Sequence, residues 1–258
     1  MNEDLQLLID AAHASAKIGR SFFRDDPEVW NKDDNQGPVT EADLAIDAML
    51  KSELLASRAT YGWLSEETED DATRLTHDRV FIVDPIDGTR AFIAGERSWS
   101  HSLAIAENGR VTCAVVYVPM MDRLYTASEA EVAMLNGEPI KATLQSNLDG
   151  ATVLAAKPNL RDEFWTNGAP PLARHFRPSL AYRLSLVAQG RFDAMLTLRD
   201  CWEWDIAAGE LIVRQAGGIA SDIAGKPLQF NRPRPMNNGC VCAGPNLHPQ
   251  LQSRLKLS

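Results

Sequence analysis

Residues 81–92 read FIVDPIDGTRAF. Phe81 to Val83 is a short apolar run of the kind that forms a buried strand, and it leads straight into Asp84. Pro85 has no N–H to give to a ladder, so pairing as a central strand is expected to end there. Asp84 and Asp87 then lie at a strand end and in the turn after it. Gly88 and Thr89 follow with backbone N–H groups and a hydroxyl in a tight turn, a concavity suited to anions. Carboxylates that hold a hard cation beside donors that hold a phosphate are what metal-assisted phosphoryl transfer requires. A DPxDG alone is as readily a plain turn, since Asp, Pro and Gly all favour turns. The other acids of the chain decide the weighting.

Toward the N-terminus, Leu5, Leu8, Ile9, Ala12, Ala16 and Phe23 recur at helical spacing and predict an amphipathic helix over the first two dozen residues. The polar stretch DDPEVWNKDDNQGP reads as a loop. Thr40 opens a second helix with Ile46, Met49, Leu50 and Leu54 on one face. From Tyr61 the pattern changes to short β-rich runs, YGWLSE, VFIVDP, SLAIAEN, RVTCAVVYV and RLYTAS, with Asn108-Gly109 as a hairpin turn. The second half alternates: a strand near ATVLAA, a helix from about Ser179 to Gln189, strand FDAML, and a helix from Asp205 to Ala216 closed by Gly217-Gly218. Strands GIASD and CVCAG and a helix after Pro245 finish the chain. Interleaved helices and strands predict a layered α/β architecture. No repeat or linker divides the chain, so residues 1–258 are expected to form one catalytic domain, with an α+β half over 1–145 and an α/β half over 146–258.

Glu66 and Glu67 end the YGWLS run and would bring two carboxylates to the same sheet edge, although Glu69, Asp70 and Asp71 make a solvated acidic run the plainer reading. Asp205 opens a helix and is by itself an N-cap, a role compatible with metal binding because the helix dipole keeps it ionised. Asp43 stands three residues after Thr40 in VTEAD, the spacing of a capping box, and equally of a base or orienter for an attacking water.

The 258 residues, 45% hydrophobic, supply an ordinary core. A formal charge of −9 argues against a surface made for nucleic-acid duplex. A small phosphorylated substrate stays compatible, because bound cations invert the local sign of a site. Cys113, Cys201, Cys240 and Cys242 lack zinc spacing and read as reduced buried thiols. No run reaches the roughly 18 apolar residues of a spanning helix, so no membrane role and a cytoplasmic location are expected. The GxSxG elbow of many serine hydrolases is absent.

VTEAD (39–43), SEE (65–67), DPIDGTRAF (84–92) and WDIAAG (204–209) together resemble the inositol monophosphatase superfamily of magnesium-dependent, lithium-sensitive phosphatases, in its order and at compatible spacing. That resemblance implies a five-layered αβαβα sandwich, a homodimer, and two to three Mg2+ ions. Glu66, Asp84 and the carbonyl of Ile86 would hold one ion, Asp84, Asp87 and Asp205 a second, and the neighbourhood of Glu66 and Glu67 a third. Thr89, bonded to Asp43, would orient the attacking water with help from Glu67, and Gly88 and Thr89 N–H groups would receive the phosphate. Lys32, in the polar loop before VTEAD, reads as a solvated surface lysine or as a mobile closing residue.

The family spans several substrates. In its inositol branch a glutamate shortly before the WD pair grips the ring hydroxyls, whereas FDAMLTLRDCWEWD is one residue longer and puts Thr197 or Leu198 there. Arg90 after DGT, together with GKPLQFN and MNNG in the tail, is similar to the 3′(2′),5′-bisphosphate nucleotidases, and Arg90 and Arg199 could meet a second phosphate. On the motifs alone, a nucleotidase acting on 3′-phosphoadenosine 5′-phosphate comes first, inositol monophosphatase second and histidinol-phosphate phosphatase third. A regulatory binding module on the same fold is the non-enzyme alternative.

Overall fold

In the strand Arg79–Asp87, successive side chains enter two different cores, and this alternation sets the layering. Phe81 and Val83 pack with Leu8, Ala12, Ile46 and Leu50 of helices α1 (Glu3–Phe22) and α2 (Glu41–Ser57). Val80 and Ile82 pack on the opposite face with apolar residues of the C-terminal half. Both faces are covered, which is why the strand reads as an unbroken apolar run. The computed structural model describes residues 2–25, 28–31, 37–70 and 72–256.

The strand belongs to a seven-stranded sheet whose spatial order follows the chain: Gly62–Ser65, Arg79–Asp87, Ser100–Glu107, Arg110–Val118, Arg123–Ser128, Glu131–Leu135, Glu138–Pro139. The first pair is parallel and the others antiparallel. The turn between the third and fourth strands uses Asn108 (φ 50°) and Gly109 (φ 81°), the two left-handed residues that a type I′ hairpin needs.

After the short helix α3 (Thr89–Ile93), helices α4 (Leu180–Ala188) and α5 (Glu203–Gln215) form the middle layer. Beyond them lies a five-stranded sheet ordered Ala173–His175, Thr152–Ala155, Ala194–Thr197, Cys240–Ala243, Ile219–Ser221. Parity repeats there: Leu154, Met195, Cys240 and Cys242 face α4 and α5, while Val153, Leu196, Val241 and Ala243 pack on Leu247 and on Leu251 of helix α6 (His248–Arg254). Helices, sheet, helices, sheet and helix make the expected αβαβα order. All four cysteines are buried and free. Among the described residues, no helix is long and apolar enough to cross a membrane.

Three local readings are corrected. Pro85 does not end the ladder: Asp84 pairs with Ser102 and Asp87 with Ser100, so two residues oppose one across a bulge that absorbs the proline. The helix expected to begin at Asp205 begins at Glu203, which makes Asp205 a first-turn residue rather than the cap. The cause is tertiary, since the buried Glu203 carboxylate accepts backbone N–H groups of Asn231 (2.6 Å) and Arg232 (3.0 Å). Within the expected polar loop, Val29–Asn31 pairs antiparallel with Pro38–Thr40.

Helices α4 and α5 touch closely at Gly209, where an added Cβ would lie 2.5 Å from Leu184 Cβ. Gly209→Val is therefore expected to lower the free energy of unfolding by about 2 kcal/mol or more through overpacking. Denaturant titration measures it, and an unchanged midpoint would show this contact to be slack.

Candidate active site

Parallel pairing places two of the acids. Ser65 lies beside Val83, so the next residue on each strand, Glu66 and Asp84, emerges at the same sheet end, and Glu66 N–H donates to the Val83 carbonyl at 3.2 Å. The third comes from below, where the Ser102 hydroxyl donates to the Trp204 carbonyl at 2.9 Å and ties the first turn of α5 to the sheet. Carboxylate oxygens of Glu66, Asp84 and Asp205 consequently lie within 4.8 Å of one another. Asp84 is buried and the other two are half-buried.

Such a group is unfavourable while each member is ionised. Burial, followed by the charges of Glu66, Asp87, Asp205 and Glu67, holds the Asp84 carboxyl well above the usual carboxylate range. Asp205 is raised in the same way by burial, then by Asp87 and Glu66, with Arg199 opposing. Asp84 Oδ1 is buried and accepts no hydrogen bond. An all-oxygen donor set with an unpartnered carboxylate oxygen at its centre suits a hard divalent cation of the magnesium, calcium or manganese kind.

Asp87 stands next to this group, with Oδ2 accepting the Ser179 hydroxyl (2.7 Å) and the Ala181 N–H (2.6 Å) at the start of α4. Burial pushes its carboxyl up to about 6 against those hydrogen bonds. The Ile86 carbonyl accepts the Thr89 hydroxyl at 3.1 Å. Asp43 closes the capping box of α2, its Oδ2 accepting Thr40 N–H (2.8 Å) and Oγ1 (2.6 Å), and its Oδ1 lies 3.5 Å from Thr89 Oγ1. Glu67 is half-buried beside Glu66 and close enough to raise Asp84.

Gly88 is the left-handed N-cap of α3 (φ 99°), a conformation that favours glycine, and first-turn N–H groups of a helix have no acceptor within it. Arg90 and Arg199 are exposed, Arg199 near enough to Asp205 to lower its pKa. Thr197 is buried at its strand end and Leu198 half-buried. Lys32 lies outside the described residues.

Sequence reading missed Arg183. It is buried on α4, its guanidinium donates to the carbonyls of Arg177 and Pro178, and its charge faces Asp87 and Asp205. Burial lowers its pKa to about 10. A lone arginine inside an apolar helix gave no local sign of this.

The profile of the inositol monophosphatase family matches residues 1–256. An inositol-1-monophosphatase from Rhizobium meliloti (strain 1021) is 35% identical over 239 residues, 86% of this chain and 88% of that one. The Nus factor SuhB of Escherichia coli (strain K12) is 29% identical over 234 residues, 87% of each. Among solved structures, an IMPase from Thermotoga maritima superposes with a TM-score of 0.84 at 26% identity, covering 98% of this chain and 96% of that one. These relatives favour the inositol monophosphatase reading over the nucleotidase one that the motifs put first. In the tail, GKPLQFN ends at Asn231, whose backbone N–H, with that of Arg232 after it, donates to Glu203 at the start of α5.

A carboxyl whose pKa is higher folded than unfolded stabilises the fold at low pH, and that contribution is lost as pH rises. For Asp87 the loss runs from about 4, the unfolded value, to about 6; Asp84 and Asp205 extend it upward. In metal-free buffer at pH 8, Asp84→Asn is therefore expected to be more stable than the unaltered chain, with the gap closing below about pH 4. Denaturant unfolding across pH checks this, and a less stable variant at pH 8 would contradict it.

Proposed function

Since this chain belongs to the inositol monophosphatase family, whose members are phosphatases acting on phosphate monoesters, we propose that it hydrolyses a small inositol-monophosphate-type substrate with Mg2+ held by Glu66, Asp84, the Ile86 carbonyl, Asp87 and Asp205. The observation that carries this reading is the convergence of three carboxylates around the unpartnered Asp84 Oδ1. When bound, magnesium supplies Lewis acidity toward the phosphate oxygens and a lowered pKa for water.

The chain's own groups do the rest. The one hydroxyl proton of Thr89, donated to the Ile86 carbonyl at 3.1 Å, would turn to Asp43 Oδ1 at 3.5 Å where that carbonyl serves as a ligand, and the hydroxyl then offers lone pairs to a water with the Asp43 carboxylate as acceptor behind it. Glu67, next to Glu66, adds a further negative charge that acts on Asp84. Gly88 and Thr89 N–H groups receive the phosphate, and their fixed geometry costs no reorganisation as charge develops. Arg199, whose charge acts on Asp205, and Arg90, exposed in the first turn of α3, would supply positive charge that attracts the anionic substrate.

A binding module without turnover is the competing class, and the Escherichia coli relative is named a Nus factor. The intact carboxylate set speaks for catalysis, because holding these acids together is costly unless a cation compensates them.

Phosphate release from inositol 1-phosphate, 3′-phosphoadenosine 5′-phosphate and histidinol phosphate tests the proposal. Inositol 1-phosphate is expected to give the highest kcat/KM, with turnover abolished by EDTA and lowered at least about 100-fold by Asp87→Asn. Full activity in EDTA would refute the metal assignment, and preference for the bisphosphate would refute the substrate class.

A further inference from the structure

Helix α2 turns a second carboxylate toward the site. Asp47 lies one turn after Asp43, so the two share a helix face. Asp43 meets Thr89, while the buried Asp47 meets the segment that carries Glu66 and Glu67. Its Oδ1 accepts the Ser65 hydroxyl at 2.5 Å and its Oδ2 the Thr68 hydroxyl at 2.6 Å, distances usual for hydroxyls donating to a carboxylate. Each hydroxyl is also held from its other side: Ser65 Oγ accepts the Glu67 N–H at 3.3 Å, and Thr68 Oγ1 accepts the Trp63 indole N–H at 3.2 Å. The Ser65 and Thr68 protons are thereby aimed at Asp47, and one carboxylate clamps both ends of the span from 65 to 68. Glu66 and Glu67 are the residues inside the clamp.

We propose that Asp47 is a positioning residue: through Ser65 and Thr68 it fixes the Glu66–Glu67 backbone so that the Glu66 carboxylate already faces Asp84 and Asp205 when a cation arrives. This rests on the reading of Glu66 as a cation ligand. Repulsion among the three carboxylates favours a loop that carries Glu66 away from the others. A clamp that opposes this repulsion spares the incoming cation the ordering cost. A side-chain amide at 47 does not replace it, because it offers one acceptor where two hydroxyls donate.

The test is calorimetric titration of the metal-free protein with MgCl2, paired with the Mg2+ dependence of phosphate release from inositol 1-phosphate. It compares the unaltered chain with Asp47→Asn, Thr68→Val and Glu66→Gln. Asp47→Asn and Thr68→Val are each expected to weaken Mg2+ binding about 10-fold, the usual scale for groups that orient metal ligands. The half-saturating Mg2+ concentration should rise by the same factor, while kcat at saturating Mg2+ returns to within about threefold. A merely structural role would lower the unfolding midpoint and the active fraction without moving half-saturation, and that result overturns the proposal. Thr68→Val leaves the buried carboxylate in place, so unchanged Mg2+ affinity in that variant overturns it even if Asp47→Asn does not fold. Glu66→Gln separates the two levels. If it binds Mg2+ like the unaltered chain, the ligand assignment itself fails; if it loses Mg2+ while Asp47→Asn keeps it, only the positioning role fails.

Discussion

The repulsion among Glu66, Asp84 and Asp205 is the constraint on which the site depends. Three carboxylates within 4.8 Å, one of them buried with an unpartnered oxygen, oppose folding unless a cation or protons compensate them. The scaffold bears this load through elements stabilised elsewhere. The central strand of the site is buried on both faces, and α5 is fastened at its entry by Glu203 to the backbone of Asn231 and Arg232. Stability in the layers and electrostatic strain at their edge are two sides of one arrangement.

Around the acids, each supporting contact sets a direction. The bulge at Pro85 and Ile86 lets Asp84 and Asp87 leave one strand on the way to different neighbours, Asp84 toward Glu66 and Asp87 toward α4. His101 Nδ1 sits 2.5 Å from the Pro85 carbonyl and braces that bulge from the next strand. Burial lowers the His101 pKa to about 4, so the ring is neutral near pH 7 and adds no positive charge beside the acids.

Much of this was legible where the signal is local. The capping box of Thr40 and Asp43 spans four residues, the Asn108-Gly109 turn two, and the run into DPIDG states its own strand and turn. The four motifs in order gave the layered architecture and named the acids that converge. What escaped was long-range. Glu203 meets residues 28 and 29 positions away, and Asp47 meets hydroxyls 18 and 21 positions away. Arg183 faces the acids from α4, a helix placed by its packing on α5, where Leu184 lies against Gly209. The substrate ranking was not legible at all in the catalytic motifs, which the branches share; the relatives put the inositol monophosphatase reading ahead.

Anomalous scattering from crystals grown with Mn2+ in place of Mg2+ addresses the central claim most directly. A peak within coordination distance of Asp84 Oδ1, shared with carboxylate oxygens of Glu66 and Asp205, is the predicted result. A map without density there, at a manganese concentration that supports turnover, would contradict the account.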